Sequence, residues 1–292
     1  MSRLSLNQIT TREWSLAEAV AGCVAAGIPA IGLWRDKVAE IGVAHAARIV
    51  REAGLAVSSL CRGGFLTATG PEAARAALAD NLAALEEAAE LGTDTLVLVV
   101  GGLPEGSRDL AGARVRVAEL LGLLAPHAGD LGVRLAIEPL HPMFCADRAV
   151  VSTLGQALDL AEPFPAEQVG VVVDSYHVWW DPQLDAQIER AGRTGRIAAY
   201  QVCDWTLPLP ADALLGRGHV GDGHIDFAAL TTAVGAAGYT GWIEVEIFNE
   251  RIWHTPGDRT LALLAERHRA HIEPHLTPHL APAAGPAPAD GP

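Results

Sequence analysis

Eight times along the chain a short apolar run gives way to a longer segment of helical periodicity, and this alternation restricts the fold more than any other feature. Its clearest instance is Val169–Trp180, VGVVVDSYHVWW. Val169–Val173 is apolar without interruption, as a strand buried on both faces of a parallel sheet must be. The remaining strands fall near Arg3–Ile9, Ala30–Trp34, Leu55–Leu60, Thr95–Val100, Val133–Ile137, Arg196–Val202 and Trp242–Ile247. Helices are expected over about 15–26, 43–53, 71–91, 109–129, 153–161, 183–191, 226–237 and 257–271. Ser15 with Glu18 makes a capping box, Pro71 suits a first helical turn, and Gly54 and Gly92 suit helix ends. Strands joined through helices pair in parallel, and eight such units predict closure into a (β/α)₈ TIM barrel. An open doubly wound sheet would carry a GxGxxG turn after its first strand, where this chain has TTREWS.

The 292 residues are long for one domain unless that domain is an α/β barrel. Residues 1–273 are assigned to the barrel, and 274–292, rich in Pro, Ala and Gly, to a disordered tail. A net charge of −14 argues against a nucleic-acid partner. No apolar run approaches the roughly 20 residues that span a bilayer. The N-terminal MSRLSLNQIT lacks the apolar stretch of a signal peptide, so the expected location is cytoplasmic, away from membranes. Cys23, Cys61, Cys145 and Cys203 form no CxxC pair and are expected as free thiols. Lys37 is the one lysine, so Schiff-base chemistry would have to use it or the N-terminus.

Barrel enzymes place their chemistry at the C-terminal ends of strands. There this chain offers Glu138 after strand five, Asp174 after strand six, Gln201 and Asp204 about the end of strand seven, and Glu246 on strand eight. Three carboxylates converging in a dry site repel one another unless a cation compensates them. A divalent metal resolves the conflict, and an oxygen-rich set suits Mn²⁺ or Mg²⁺ better than Zn²⁺. Period-two geometry points Glu244 the same way as Glu246 but deeper, where it is expected to pair with a buried arginine such as Arg134.

The phrases LAIEPL, VGVVVDSYH, RIAAYQVCD, HVGDGHIDF and GWIEVEIF resemble the sugar isomerase/epimerase superfamily with xylose-isomerase-like barrels, over nearly the whole length. The resemblance extends to hydroxypyruvate isomerase, tagatose epimerase and the catalytic (alpha) subunit of C-glycoside deglycosidases. It implies a metal held by Glu138, Asp174, Gln201 and Glu246. Many members carry His where this chain has Gln201, as hydroxypyruvate-isomerase-like members do. His177 and Arg217 match positions that contact substrate oxygens.

The expected chemistry is proton transfer on a small sugar or keto-sugar through an enediolate, with Glu138 and Glu246 as the acid–base pair. The alternative is a lyase cleaving 3-keto-C-glycosides, with His141 as the acid and a small second subunit as partner. In the isomerase reading the chain is expected as a homo-oligomer and His141 as a helper. A DNA-repair endonuclease would need three zinc ions and more histidines, and a non-catalytic binding module would not need the ligand set. Trp14, Trp34, Trp179 and Trp180 follow strands on the catalytic face, Trp14 and Trp34 being the chosen substrate-stacking candidates. Gly221-x-Gly223 reads as a tight turn rather than an anion site. His268, His271, His275 and His279 read as tail composition, because Pro274 and Pro278 interrupt any helix there.

Overall fold

The computed structural model describes residues 3–276. Its strands are β1 (Leu4–Asn7), β2 (Ala30–Trp34), β3 (Ala56–Gly64), β4 (Thr95–Val99), β5 (Arg134–Ile137), β6 (Val169–Asp174), β7 (Ile197–Val202) and β8 (Ile243–Val245). All pair in parallel and close into a barrel in the order β1-β8-β7-β6-β5-β4-β3-β2. The helices that follow them are α1 (Leu16–Ala26), α2 (Val43–Glu52), α3 (Pro71–Leu91), α4 (Leu110–Leu131), α5 (Leu154–Ala161), α6 (Leu184–Arg193), α7 (Phe227–Ala236) and α8 (Gly257–His271). Ser15 and Glu18 form the expected capping box, and Gly92 closes α3 in the left-handed region. Short helices that the sequence did not announce, Arg35–Ala39, Ser175–Val178 and Glu250–Trp253, cover the C-terminal end.

Alternate residues of each strand point into the barrel. Cys61, Val97, Ala136, Val172 and Ala199 form a small core of their own there, separate from the larger one between strands and helices. Two residues beyond three of them, on the same face, stand Glu138, Asp174 and Gln201. The apolar interior therefore gives way to a polar rim within one side-chain layer.

Glu244 reaches that interior from β8 and finds no arginine. It accepts hydrogen bonds from Asn7 Nδ2 at 2.6 Å, Ser59 Oγ at 2.8 Å, Gln201 Nε2 at 2.9 Å and Ser58 Oγ. A register shift between β2 and β3, at Ile31/Gly32, accompanies the approach of both consecutive serines. Gly32 is required opposite them, since a Cβ would stand 2.4 Å from Glu244 Oε2. The expected pairing with Arg134 is thus replaced by neutral donors. Arg134 lies instead at the lower end of the barrel, beside a concavity of about 870 Å³ that the converging carboxylates do not reach.

The fold continues past residue 273: Glu273–His275 form a 3₁₀ turn and Leu276 packs on the core. The rest of the segment assigned to the tail, 277–292, including His279, lies outside the described residues. His268 is not tail composition either. It is fully buried on α8, with Nδ1 3.4 Å from Glu273 Oε1. Among the described residues no helix is long and apolar enough to cross a membrane.

Burial lowers the His268 pKa to about 4, outweighing the carboxylate of Glu273. A histidine depressed on folding stabilises fully above its unfolded value near 6.5, and that stability is lost as pH falls, because the unfolded chain takes up a proton that the native ring refuses. Between pH 7 and pH 5 the loss at this ring should be about 2 kcal/mol. Denaturant unfolding at both pH values should show that excess drop in the natural protein relative to His268→Gln. Parallel drops in the two proteins would mean that the ring titrates normally.

Candidate active site

The C-terminal mouth of the barrel holds a cavity of about 340 Å³. Glu138, His177, Arg217 and Glu246 line its polar side, and Trp34, Phe65, Leu140 and Phe248 line its apolar side. Asp174 and Gln201 lie fully buried behind them.

Arg217 is delivered by the long loop after β7. There Asp204–Trp205 pairs antiparallel with Arg217–Gly218 in a small ribbon. Asp204 staples the rest of the loop, accepting from the backbone amides of Gly221, Gly223 and Ile225 at 2.9, 2.8 and 3.1 Å. Asp204 is therefore consumed by structure and is no metal ligand. The Gly221 and Gly223 amides meet an anion of the chain itself, Asp204, and Asp226 caps α7 just after this turn.

From that ribbon the Arg217 side chain passes between the rings of Tyr176 and Phe248, 4.8 and 4.9 Å from their centroids. Its Nη1 donates to Glu246 Oε2 at 2.8 Å and Asp174 Oδ2 at 3.2 Å. Its Nη2 lies 2.9 Å from His177 Nε2. Arg217 is 1% exposed, so it is a buried counter-ion and not a surface residue.

Burial raises the pKa of all three carboxylates. Glu138 is pushed well above the usual range by burial and by Glu246 and Asp174. Burial takes Glu246 to about 8 against the pull of Arg217. Asp174 is raised by burial, with Arg217 and the Tyr176 amide opposing.

His177 is held neutral by burial and by Arg217. Its ring faces two donors, the His141 amide at 3.2 Å from Nδ1 and Arg217 Nη2 at Nε2. A neutral imidazole has one acceptor nitrogen. One of these donors is therefore left for an incoming oxygen.

Three carboxyl groups against one guanidinium are held from full ionisation by want of positive charge, which a divalent cation would supply. Glu138, Asp174 and His177 offer ligand atoms within 4.8 Å of one another. Gln201 adds an independent sign. Glu244 takes its Nε2, which fixes the amide orientation, and its Oε1 is buried without a hydrogen-bond partner. An orphaned carbonyl oxygen beside buried carboxylates is what an oxygen-liking cation requires. Glu138 and Asp174 belong to either ligand set, with Gln201 and Glu246 or with His177 completing it.

Other expected residues fall elsewhere. The His141 ring is outside the cavity, between Trp180 and Trp205 with centroids 5.4 and 5.1 Å away, and its Nδ1 accepts from the Met143 amide. It acts on the site through its backbone, because the β5 loop presents its N–H to His177. Trp14 is wedged between α1 and α8, against Gly22 and Gly257, and does not reach the cavity. Trp34 does line it, with Nε1 donating to Asn7 Oδ1 at 2.7 Å. Trp179 and Trp180 pack around Trp205 and His141.

The sequence reading missed Asn7, Arg62, Phe65, Arg148 and Phe248. Asn7 ends β1 and bonds both Glu244 and Glu246, the latter at 3.0 Å. Its place at a strand end was a usable signal, as was Phe248 two residues after Glu246. Arg62 lies near the end of β3 and Arg148 on the loop after β5, where nothing periodic marks them.

The xylose isomerase-like TIM barrel model matches residues 20–274. A 3-dehydroshikimate dehydratase of Pseudomonas aeruginosa is 32% identical over 198 residues, 63% of this chain and 29% of that protein. The chain thus spans less than a third of that relative's length. An inosose isomerase of Bacillus velezensis is 27% identical over 53% of this chain and 54% of its own. Among solved structures, protein SMc04130 of Sinorhizobium meliloti 1021 is 50% identical with a TM-score of 0.90, covering 92% of this chain and 98% of its own. The IolI protein, solved with a bound zinc atom, is 19% identical with a TM-score of 0.80, covering 95% and 100%, and shares the fold. With a closed eight-stranded parallel barrel and a family match over most of its length, the chain belongs to the xylose isomerase-like TIM barrel family, and its named relatives are enzymes.

Proposed function

We propose that this chain is a divalent-metal-dependent isomerase or epimerase that moves a proton at the carbon beside a carbonyl group of a small polyhydroxylated substrate. One observation carries the proposal. Glu138 and Glu246 follow strands three places apart in a ring of eight and face the same cavity. Two carboxyl groups so placed can reach opposite faces of one substrate carbon. Burial raises both above the ordinary carboxylate range, Glu246 to about 8.

Glu138, Asp174, Gln201 and Glu246 would hold the metal, Mn²⁺ or Mg²⁺ by the hardness of the oxygens, which would polarise the substrate's neighbouring oxygens and acidify the C–H between them. The chain's own groups supply the remainder. One glutamate removes the proton and the other returns one. Arg217 and the spare donor at His177 bind the substrate oxygen on which negative charge grows. Trp34 and Phe248, edge to face at 5.7 Å, wall the cavity against water.

A dehydratase relative supports a second reading, because elimination of a hydroxyl beside a carbonyl compound also begins with removal of the neighbouring proton. The C-glycoside lyase reading has less support, since it needs an acid from His141, whose ring faces away from the cavity.

Glu246→Gln keeps an oxygen donor but no base. The metal-loaded variant should lose on the order of 10²–10⁴ in the rate of solvent deuterium incorporation into a panel of inososes and ketoses. Near-normal exchange would contradict the assignment. His141→Ala retains the amide that holds His177, so its turnover should fall by about tenfold or less, the scale of one modest hydrogen bond. A loss on the order of 10² or greater would restore His141 as an acid–base group.

A further inference from the structure

Two cationic side chains in the cavity play no part in the chemistry above. Arg62, just after Cys61 on β3, and Arg148, on the loop after β5, both line it. Among the described residues Arg62 has no ion pair or hydrogen bond. Its guanidinium lies 4.2 Å from the Phe65 ring centroid and is depressed by burial and by the neighbouring charge of Arg148, with Cys61, Glu138 and Asp36 opposing. Arg148 has one acidic contact, Nε to Asp147 Oδ2 at 3.6 Å, and the Asp147 side chain is 63% exposed. That Nε is buried without a hydrogen bond. By contrast, Arg35, Arg190 and Arg217 are each pinned by carboxylates within 3.2 Å. In a chain of net charge −14, two half-buried guanidiniums that repel each other beside a cavity are costly unless an anion joins them.

The platform beneath Arg62 is fixed. Phe65 adopts φ +55° on the cavity rim, a left-handed conformation unusual for an aromatic residue. Gly64 before it sits at φ +117°, where a Cβ would fall 1.9 Å from the Val99 carbonyl oxygen. Asn81 clamps Gly64 through both its N–H and its C=O, at 2.7 and 2.8 Å. Phe65 and Leu66 donate to the Val99 and Val100 carbonyls. This loop holds the ring under Arg62 in one place.

We infer that Arg62 and Arg148 form a subsite for an anionic group, carboxylate or phosphate, on a substrate whose carbonyl end lies toward Glu138 and Glu246. The inference rests on the proposed proton-transfer reading for which end of the substrate reacts, but its binding test does not. Guanidinium forks match planar or tetrahedral oxyanions through paired N–H donors. The apolar wall of Phe65, Leu140 and Phe248 suits the carbon skeleton between the two ends.

Calorimetric titration of the metal-loaded protein with three ring polyols tests this directly. Myo-inositol is neutral, quinate carries a carboxylate, and myo-inositol 1-phosphate carries a phosphate. At least one anionic probe should bind tenfold or more tightly than myo-inositol, and the stronger of the two identifies the group. In Arg62→Ala and in Arg148→Ala that preference should fall toward one, with circular dichroism unchanged. Equal affinities, no binding by either anion, or a preference that survives both substitutions would overturn the subsite. Titration requires no turnover, so a failed exchange experiment with Glu246→Gln would leave this result standing.

Discussion

Three carboxylates gathered at the dry end of a barrel need positive charge among them, and the Arg217 guanidinium supplies the part that the chain itself carries. It touches Asp174 and Glu246 and lies against His177. Removing one partner from a buried ion pair leaves an uncompensated charge and costs roughly 3–5 kcal/mol, a large share of a domain's net stability. The ribbon that carries Arg217, the Asp204 staple that shapes its loop and the two aromatic rings along its side chain all serve to hold that charge in place. Its single positive charge does not balance three carboxylates, and in the proposed function a divalent metal would supply the remainder.

Beneath this layer Glu244 ties fold to site. Its neutral donors come from β1, β3 and β7, so the barrel's closure and the orientation of Asn7 and Gln201 depend on one carboxylate. Asn7 then bonds Glu246 and receives the indole N–H of Trp34. Gln201, with its nitrogen taken, presents an oxygen. Geometry set by strand register below is passed upward as side-chain orientation above, as supporting interactions do around metal ligands.

Most of the barrel was legible, because buried strands and capped helices leave periodic signals. Pro71–Leu91 and Ala30–Trp34 have the bounds expected of them, and β6 ends on Asp174 as its apolar run implied. The acidic residues of the site were legible for the same reason: they end strands. Glu244 was placed correctly as interior but given the wrong partner, since nothing local foretells the β2–β3 register shift that brings two serines to it. His141 and Trp14 were misplaced because a loop position says which face a residue is near and not where its ring turns. Arg62 and Arg148 escaped notice altogether, as their meaning lies in how weakly carboxylates hold them, Arg148 having a single contact at 3.6 Å with an exposed one, which only three dimensions reveal.

The central claim is that these buried oxygens hold one divalent cation. Elemental analysis of the purified protein, after dialysis against metal-free buffer and reloading with Mn²⁺ or Mg²⁺, should find one equivalent per chain. Asp174→Ala should lose that equivalent while its circular dichroism stays that of a folded barrel. A natural protein that binds no metal at the site yet turns over substrate, or an Asp174→Ala variant that keeps its full equivalent, would contradict the account.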